Sequence, residues 1–196
     1  DTETYDGTSW TEVSNLNTAR YGARGAGTST AALCFAGTTG GPDRKKITES
    51  WDGTSWSEDN DLNTARTDPG GLGATNTAAL CAGGNTSPGA NFTQNSETWD
   101  GTSWTEGNNI LAATQAMAGS GTTTAGLMYG GSNPGALATT ESYDGTSWTE
   151  IADMATARYG TGSGGVTTGS AIAACGSEPA KSAATEEYAD PVYTIK

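Results

Sequence analysis

The sequence predicts an all-β chain folded as a β-propeller of four-stranded antiparallel blades, with about four to five blades in 196 residues. Three observations carry that expectation. A hexapeptide returns at a regular period, each period holds one short apolar strand of small residues, and no window shows apolar residues at helical spacing.

The hexapeptide is Tyr5-Asp6-Gly7-Thr8-Ser9-Trp10, repeated as Trp51 to Trp56, Trp99 to Trp104 and Tyr143 to Trp148. Its last residues, Trp10, Trp56, Trp104 and Trp148, stand 46, 48 and 44 residues apart, a period that suits a four-stranded blade. A glutamate precedes each copy: Glu3, Glu49, Glu97 and Glu141. A fifth copy, Thr185-Glu186-Glu187-Tyr188-Ala189-Asp190, keeps the opening and loses the Gly and the Trp. After each Trp a polar stretch leads to Leu16-Asn17-Thr18-Ala19-Arg20, Leu62-Asn63-Thr64-Ala65-Arg66 and Met154-Ala155-Thr156-Ala157-Arg158. The third unit departs, with Leu111-Ala112-Ala113-Thr114-Gln115 reading as one inserted residue and Gln in place of Arg. The approximate units of this single domain are 1–13 (partial), 14–59, 60–107, 108–151 and 152–196.

Four strands are expected per unit. The first, near Gly22 to Ser29 in unit one, is made of small residues, as crowding around a central axis requires. The second is the apolar strand ending in Gly: Ala32 to Gly37, Ala79 to Gly84, Gly126 to Gly131 and Ile172 to Gly176. The third carries the glutamate and an aromatic residue. Asp-Gly between it and the fourth predicts a two-residue type I′ hairpin, in which both central residues need positive φ. Such a blade cannot cover its own faces, so neighbours must pack face to face. Trp10, Trp56, Trp104 and Trp148 are expected in the gaps, each ring burying roughly 150–250 Å².

Strand counting leaves two arrangements open. The chain opens on the third and fourth strands of a unit, Thr2 to Val13, and its last closing strands would be Thr185 to Lys196, about four and a half blades. Alternatively Thr2 to Val13 completes the blade begun by Tyr159 to Gly176, and the last dozen residues dock elsewhere. The opening Asp1-Thr2-Glu3 is neither an initiator Met nor a signal peptide, so the sequence is expected to begin inside a longer or processed polypeptide.

Composition narrows function. Nine Lys+Arg against 22 Asp+Glu give a net charge of -13, which repels phosphate backbones and anionic lipid, so no nucleic-acid partner is expected. No run approaches the roughly 20 apolar residues of a membrane span, and no membrane insertion is expected. The chain has no His, which removes the commonest general base and metal ligand. Neither catalysis, a cofactor nor a metal is expected.

The units resemble the kelch family of β-propellers. The resemblance rests on Gly83-Gly84 and Gly130-Gly131 ending the second strand, the Glu and Tyr-Asp that follow, the later Trp, and the Arg opening the next unit. Ala36-Gly37 and Cys175-Gly176 depart from the Gly pair. The wording Asp-Gly-Thr-Ser-Trp-Thr-Glu followed by Leu-Asn-Thr-Ala-Arg is also similar to repeats of marine bacteriophage virion proteins, tail-associated and fibre-like ones included. That likeness implies a non-catalytic virion appendage or decoration protein, located on the virion or outside cells. Its implied partners are other virion proteins or a host surface glycan or protein, with a homo-oligomer as a further expectation. The alternative is a secreted carbohydrate-binding or accessory domain of a larger extracellular enzyme. Copper-radical oxidases also use kelch propellers but need His ligands, which this chain lacks.

Among individual residues, Glu49, Glu97 and Glu141 with Arg20, Arg66 and Arg158 are expected to form repeated ion pairs and backbone hydrogen bonds, because catalysis needs one site with distinct surroundings. Asp6, Asp52, Asp100 and Asp144 read as turn formers, lacking the clustered oxygens of a calcium loop. Cys34, Cys81 and Met128 share one position and read as buried small hydrophobes, with Cys175 displaced to the Gly-pair position. Variable loops at Thr38 to Lys46, Asn85 to Asn95, Ser132 to Ala138 and Ser177 to Ala183 are where recognition is expected. Arg44, Lys45 and Lys46 in the first form the only cationic cluster, a candidate contact for an anionic partner group.

Overall fold

The computed structural model describes residues 1–167, 169–178 and 180–189. It opens on a hairpin of β1 (Thr2–Tyr5) and β2 (Trp10–Val13). Blade 1 follows as β3 (Arg24–Thr28), β4 (Ala31–Phe35), β5 (Thr48–Trp51) and β6 (Trp56–Glu58). Blade 2 has β7 (Gly70–Thr75), β8 (Ala78–Ala82), a small hairpin β9 (Asn85–Ser87) and β10 (Asn91–Phe92), then β11 (Ser96–Trp99) and β12 (Trp104–Glu106). Blade 3 has β13 (Ala118–Thr122), β14 (Ala125–Tyr129), β15 (Thr140–Tyr143) and β16 (Trp148–Glu150). Blade 4 has β17 (Gly162–Thr167), β18 (Ser170–Ala174), the small hairpin β19 (Ser177–Glu178) and β20 (Ala180–Lys181), and β21 (Thr185–Ala189). No helix occurs among the described residues.

Blades 1 to 3 are four-stranded antiparallel sheets, and among the described residues blade 4 shows three strands, β17-β18-β21. The four sheets form a propeller, their first strands standing side by side as β3, β7, β13 and β17. Small residues make this possible. A Cβ added at Gly119 would lie 2.4 Å from the Gly71 carbonyl oxygen of the neighbouring blade, so the two backbones approach as only glycine allows. The inner strands of all four blades line an axial space of about 400 Å³ without a charged side chain.

Register places alternate residues on a leading face, toward the preceding blade, and a trailing face. In blade 1, Leu33 and Phe35 lie on the trailing side with Ser50 and Thr48, while Cys34 pairs with Glu49 and Ala32 with Trp51. Trp104 of blade 2 stacks edge-on against Phe35, ring centroids 5.0 Å apart, and its indole N–H donates to Thr48 Oγ1 at 2.8 Å. Leu33, Phe35, Cys81, Trp99 and Trp104 thus form one core, and Leu72, Leu80, Ala82, Tyr143 and Trp148 the next. Leu127, Tyr129, Ala171 and Ala173 form the third. Trp104 and Trp148 therefore fill gaps between blades, whereas Trp56 is half-buried and Trp10 is 66% exposed.

The two open arrangements are now separated. β21 pairs with β18, from Thr185 opposite Ala174 to Ala189 opposite Ser170. β1 pairs with β2 alone, so the first hairpin stands apart from blade 4, beside Ala32, Trp51 and Trp56 of blade 1. The predicted closing strand at Asp190 to Lys196 lies outside the described residues.

Two local expectations are corrected. The Asp-Gly turns are not type I′ turns centred on Asp-Gly, because only the glycine has positive φ (94° at Gly53, 97° at Gly145). Asp52 instead opens the turn, accepting at one oxygen from the Thr54 and Ser55 amides, both at 2.8 Å. The same arrangement recurs at Asp6, Asp100 and Asp144. These amide hydrogen bonds hold all four carboxyls below the usual range. Secondly, the third unit carries no insertion. The residue six after each Trp is Leu16, Leu62, Ile110 and Met154, and Gly84 N–H donates to the Thr114 carbonyl as Gly37 and Gly131 do to those of Arg66 and Arg158. Thr114 stands at the arginine position, and Gln115 aligns with Thr67 and Tyr159.

Candidate functional site

Antiparallel up-and-down connectivity sorts the loops onto two rims. On one lie the Asp-Gly-Thr-Ser turns, nearly identical in every unit. On the other lie the variable loops between second and third strands, beside the segments that enter each first strand. Isolated bridges join these two loop sets in each blade: Tyr21 to Thr38, Thr67 to Asn85, Gln115 to Ser132 and Tyr159 to Ser177.

A buried Arg–Glu unit underlies the variable rim. Arg66, fully buried, pairs with Glu97. The Arg66 guanidinium also donates to the Gly83 carbonyl at 3.0 Å and the Asn95 carbonyl at 2.8 Å, the two feet of the second loop. Glu97 in turn accepts from the Asn63 amide at 2.7 Å and the Asn63 side chain at 3.0 Å. Arg20 and Glu49 repeat the pair in blade 1, with Arg20 donating to Ala36 and Cys34 carbonyls. In blade 4, Arg158 pairs with Glu186 and donates to the Cys175 and Ala184 carbonyls. Each guanidinium nitrogen and carboxylate oxygen of the pairs has a partner, as a buried charge requires.

Glu141 differs. With Thr114 at the arginine position, it accepts from the Leu111 amide at 2.9 Å and faces no arginine. Burial pushes its carboxyl above the usual range, and Glu150 on the neighbouring strand adds to the rise. At Glu49 burial also pushes upward, but the Arg20 guanidinium and the Asn17 amide outweigh it and hold the carboxyl low. The two residues therefore respond oppositely to acid. A raised carboxyl contributes stability below its unfolded pKa and loses it as pH rises; a depressed one contributes above its unfolded pKa and loses it as pH falls. Glu141→Gln is expected to gain stability relative to the parent chain from acid to neutral pH, and Glu49→Gln to lose it. Denaturant midpoints measured across that range check both; parallel pH profiles would contradict the assignment.

The glycine pair at the loop feet needs positive φ at both residues: 64° and 100° at Gly83 and Gly84. Ala36 and Cys175 adopt the same first conformation, at 62° and 55°, at about 1 kcal/mol or more each. The three cysteines are free. Burial pushes the Cys81 thiol up to about 12, and the Cys34 thiol up as well.

The cationic cluster is largely engaged by groups of its own loop and of the segment after β6. Lys45 pairs with Asp43 at 2.8 Å, Lys46 with Asp61 at 3.3 Å, and Arg44 donates to the Gly41 carbonyl at 3.1 Å. The small hairpins β9–β10 and β19–β20 raise two loops from the same rim, features that their sequences did not announce. Among the described residues no three His, Cys, Asp or Glu side chains gather as a metal site.

Repeated blades, clamped loop feet and a rim that alone varies define the class: a β-propeller compatible with a binding or structural module. No family model matches the chain, and a search of curated proteins finds no match.

Proposed function

We propose that the chain is a non-catalytic recognition module of kelch-like repeats, serving on a bacteriophage virion as an appendage or decoration protein. The loops of its variable rim meet a host surface glycan or protein, or a neighbouring virion protein. One observation carries this reading: four loops of different length and content rise from one rim of a framework that is otherwise repeated. Arg–Glu pairs hold both feet of the second and fourth loops and the first foot of the first. The repeat wording supports the virion setting, and the charge of -13 suits partners other than anionic polymers.

The test is binding of the labelled chain to intact bacterial cells and to a glycan array, with two variants beside it. Replacing Thr86 to Ala90 by a short Gly-Ser turn is expected to abolish binding, whereas Asp52→Asn on the opposite rim leaves it unchanged. Equal loss in both, or loss in neither, would remove the rim from the reading. Reversing the charge of Arg44, Lys45 and Lys46 together is expected to weaken binding only a few-fold, since two of the three are already paired with carboxylates. Antibody detection of the chain in purified particles tests the virion setting. Its absence there, with retained binding to isolated glycans, would favour the secreted accessory domain.

A further inference from the structure

Twice within the chain an aromatic pair on one blade seats on the trailing face of the blade before it. In the second of these junctions, Tyr143 and Trp148 seat on Leu80 and Ala82, with the Ser96 hydroxyl beside them on the same face. Two surfaces of this kind are left over. The first hairpin carries Tyr5 and Trp10, paired across β1 and β2 with ring centroids 5.2 Å apart, yet 50% and 66% exposed. Blade 4 presents Ile172, Ala174 and Thr185 in the register that Leu80, Ala82 and Ser96 occupy in blade 2. Leu33, Leu80 and Leu127 are at most 1% exposed, whereas Ile172 at the same position is 38% exposed.

The two leftover faces match each other. Tyr5 and Trp10 repeat the chemistry of Tyr143 and Trp148, and Ile172, Ala174 and Thr185 repeat the aliphatic, alanine and hydroxyl set that receives them. Within the chain the two ends do not meet: among the described residues β17 and β3 do not pack together as the other neighbouring first strands do. We propose that the chain associates head to tail with a second copy of itself, the Tyr5–Trp10 face of one copy seating on the Ile172–Ala174–Thr185 face of the next. The Trp10 indole N–H then has the Thr185 hydroxyl to donate to, as Trp104 has Thr48. Such a junction is heterologous, so each copy carries one donor face and one acceptor face, and the series closes into a ring or runs on according to its pitch.

Sedimentation of the whole chain at micromolar concentration tests this, together with Trp10→Asp and Ile172→Asp, both at exposed positions where folding is not at stake. The parent chain is expected to sediment larger than a monomer, and each variant alone as a monomer. A one-to-one mixture of the variants is expected to form a dimer and stop there, because each supplies the face that the other has lost. A monomeric parent chain, with the two faces closing on each other in one molecule, would overturn the proposal. So would variants that keep the parent's size, or a mixture that stays monomeric, as a symmetric two-fold interface would leave it.

Discussion

Glu97→Gln is expected to lower the unfolding free energy by about 3–5 kcal/mol, the loss typical when one partner of a buried ion pair is removed. Arg66 is fully buried and cannot reach water once its carboxylate is gone. Its hydrogen bonds to Gly83 and Asn95 remain, so the cost falls on the unpaired charge and on the Asn63 amide that Glu97 receives. Replacing both partners, Arg66→Met with Glu97→Leu, is expected to recover part of the loss by removing the buried charge, though not the clamp on the loop feet. Denaturant unfolding of the two singles and the double gives the coupling directly. A Glu97→Gln variant within about 0.5 kcal/mol of the parent chain would show the pair to be solvated in solution.

Trp104→Ala is expected to cost about 3–5 kcal/mol, the range for deleting a buried large aromatic side chain. The ring is 6% exposed, lies against Phe35 and Trp99, and its N–H holds the Thr48 hydroxyl. Its removal opens the seam between blades 1 and 2 rather than the interior of either sheet, so hydrogen-exchange protection should fall first at β4, β5 and β12. Trp10→Ala, at a two-thirds exposed ring, should leave the unfolding free energy of the isolated chain within about 0.5 kcal/mol. Comparable losses at the two positions would show Trp10 buried in the molecule in solution.

Much of this architecture was legible in the repeat. The period, the small-residue first strand and the aromatic pair of the outer hairpin each reflect one packing demand, so their recurrence fixed blade content and face. Two things escaped for physical reasons. Leu111-Ala112-Ala113-Thr114-Gln115 looks like a shifted copy of Leu62 to Arg66, but the burial position lies at a fixed distance along the chain after each Trp, and Ile110 holds it. That constant spacing of six was the available signal. The choice between β1 and β21 as partner of β18 was not legible at all, because Thr-Glu-Thr-Tyr and Thr-Glu-Glu-Tyr present nearly the same edge and the same glutamate. The loop clamp was half visible: recurrence suggested the ion pairs, while the reach of Arg66 and Arg158 to both ends of a loop depends on three-dimensional proximity.

Tying down a loop at both ends separates what it says from what holds it in place. For a flexible segment with fixed ends, doubling its length adds only about 0.6 kcal/mol of closure entropy. The second and fourth blades, where an arginine grips both ends, are thus natural insertion points for foreign peptides, able to change vocabulary without disturbing the wheel beneath. The third, which has threonine at that position, would tolerate such grafts least.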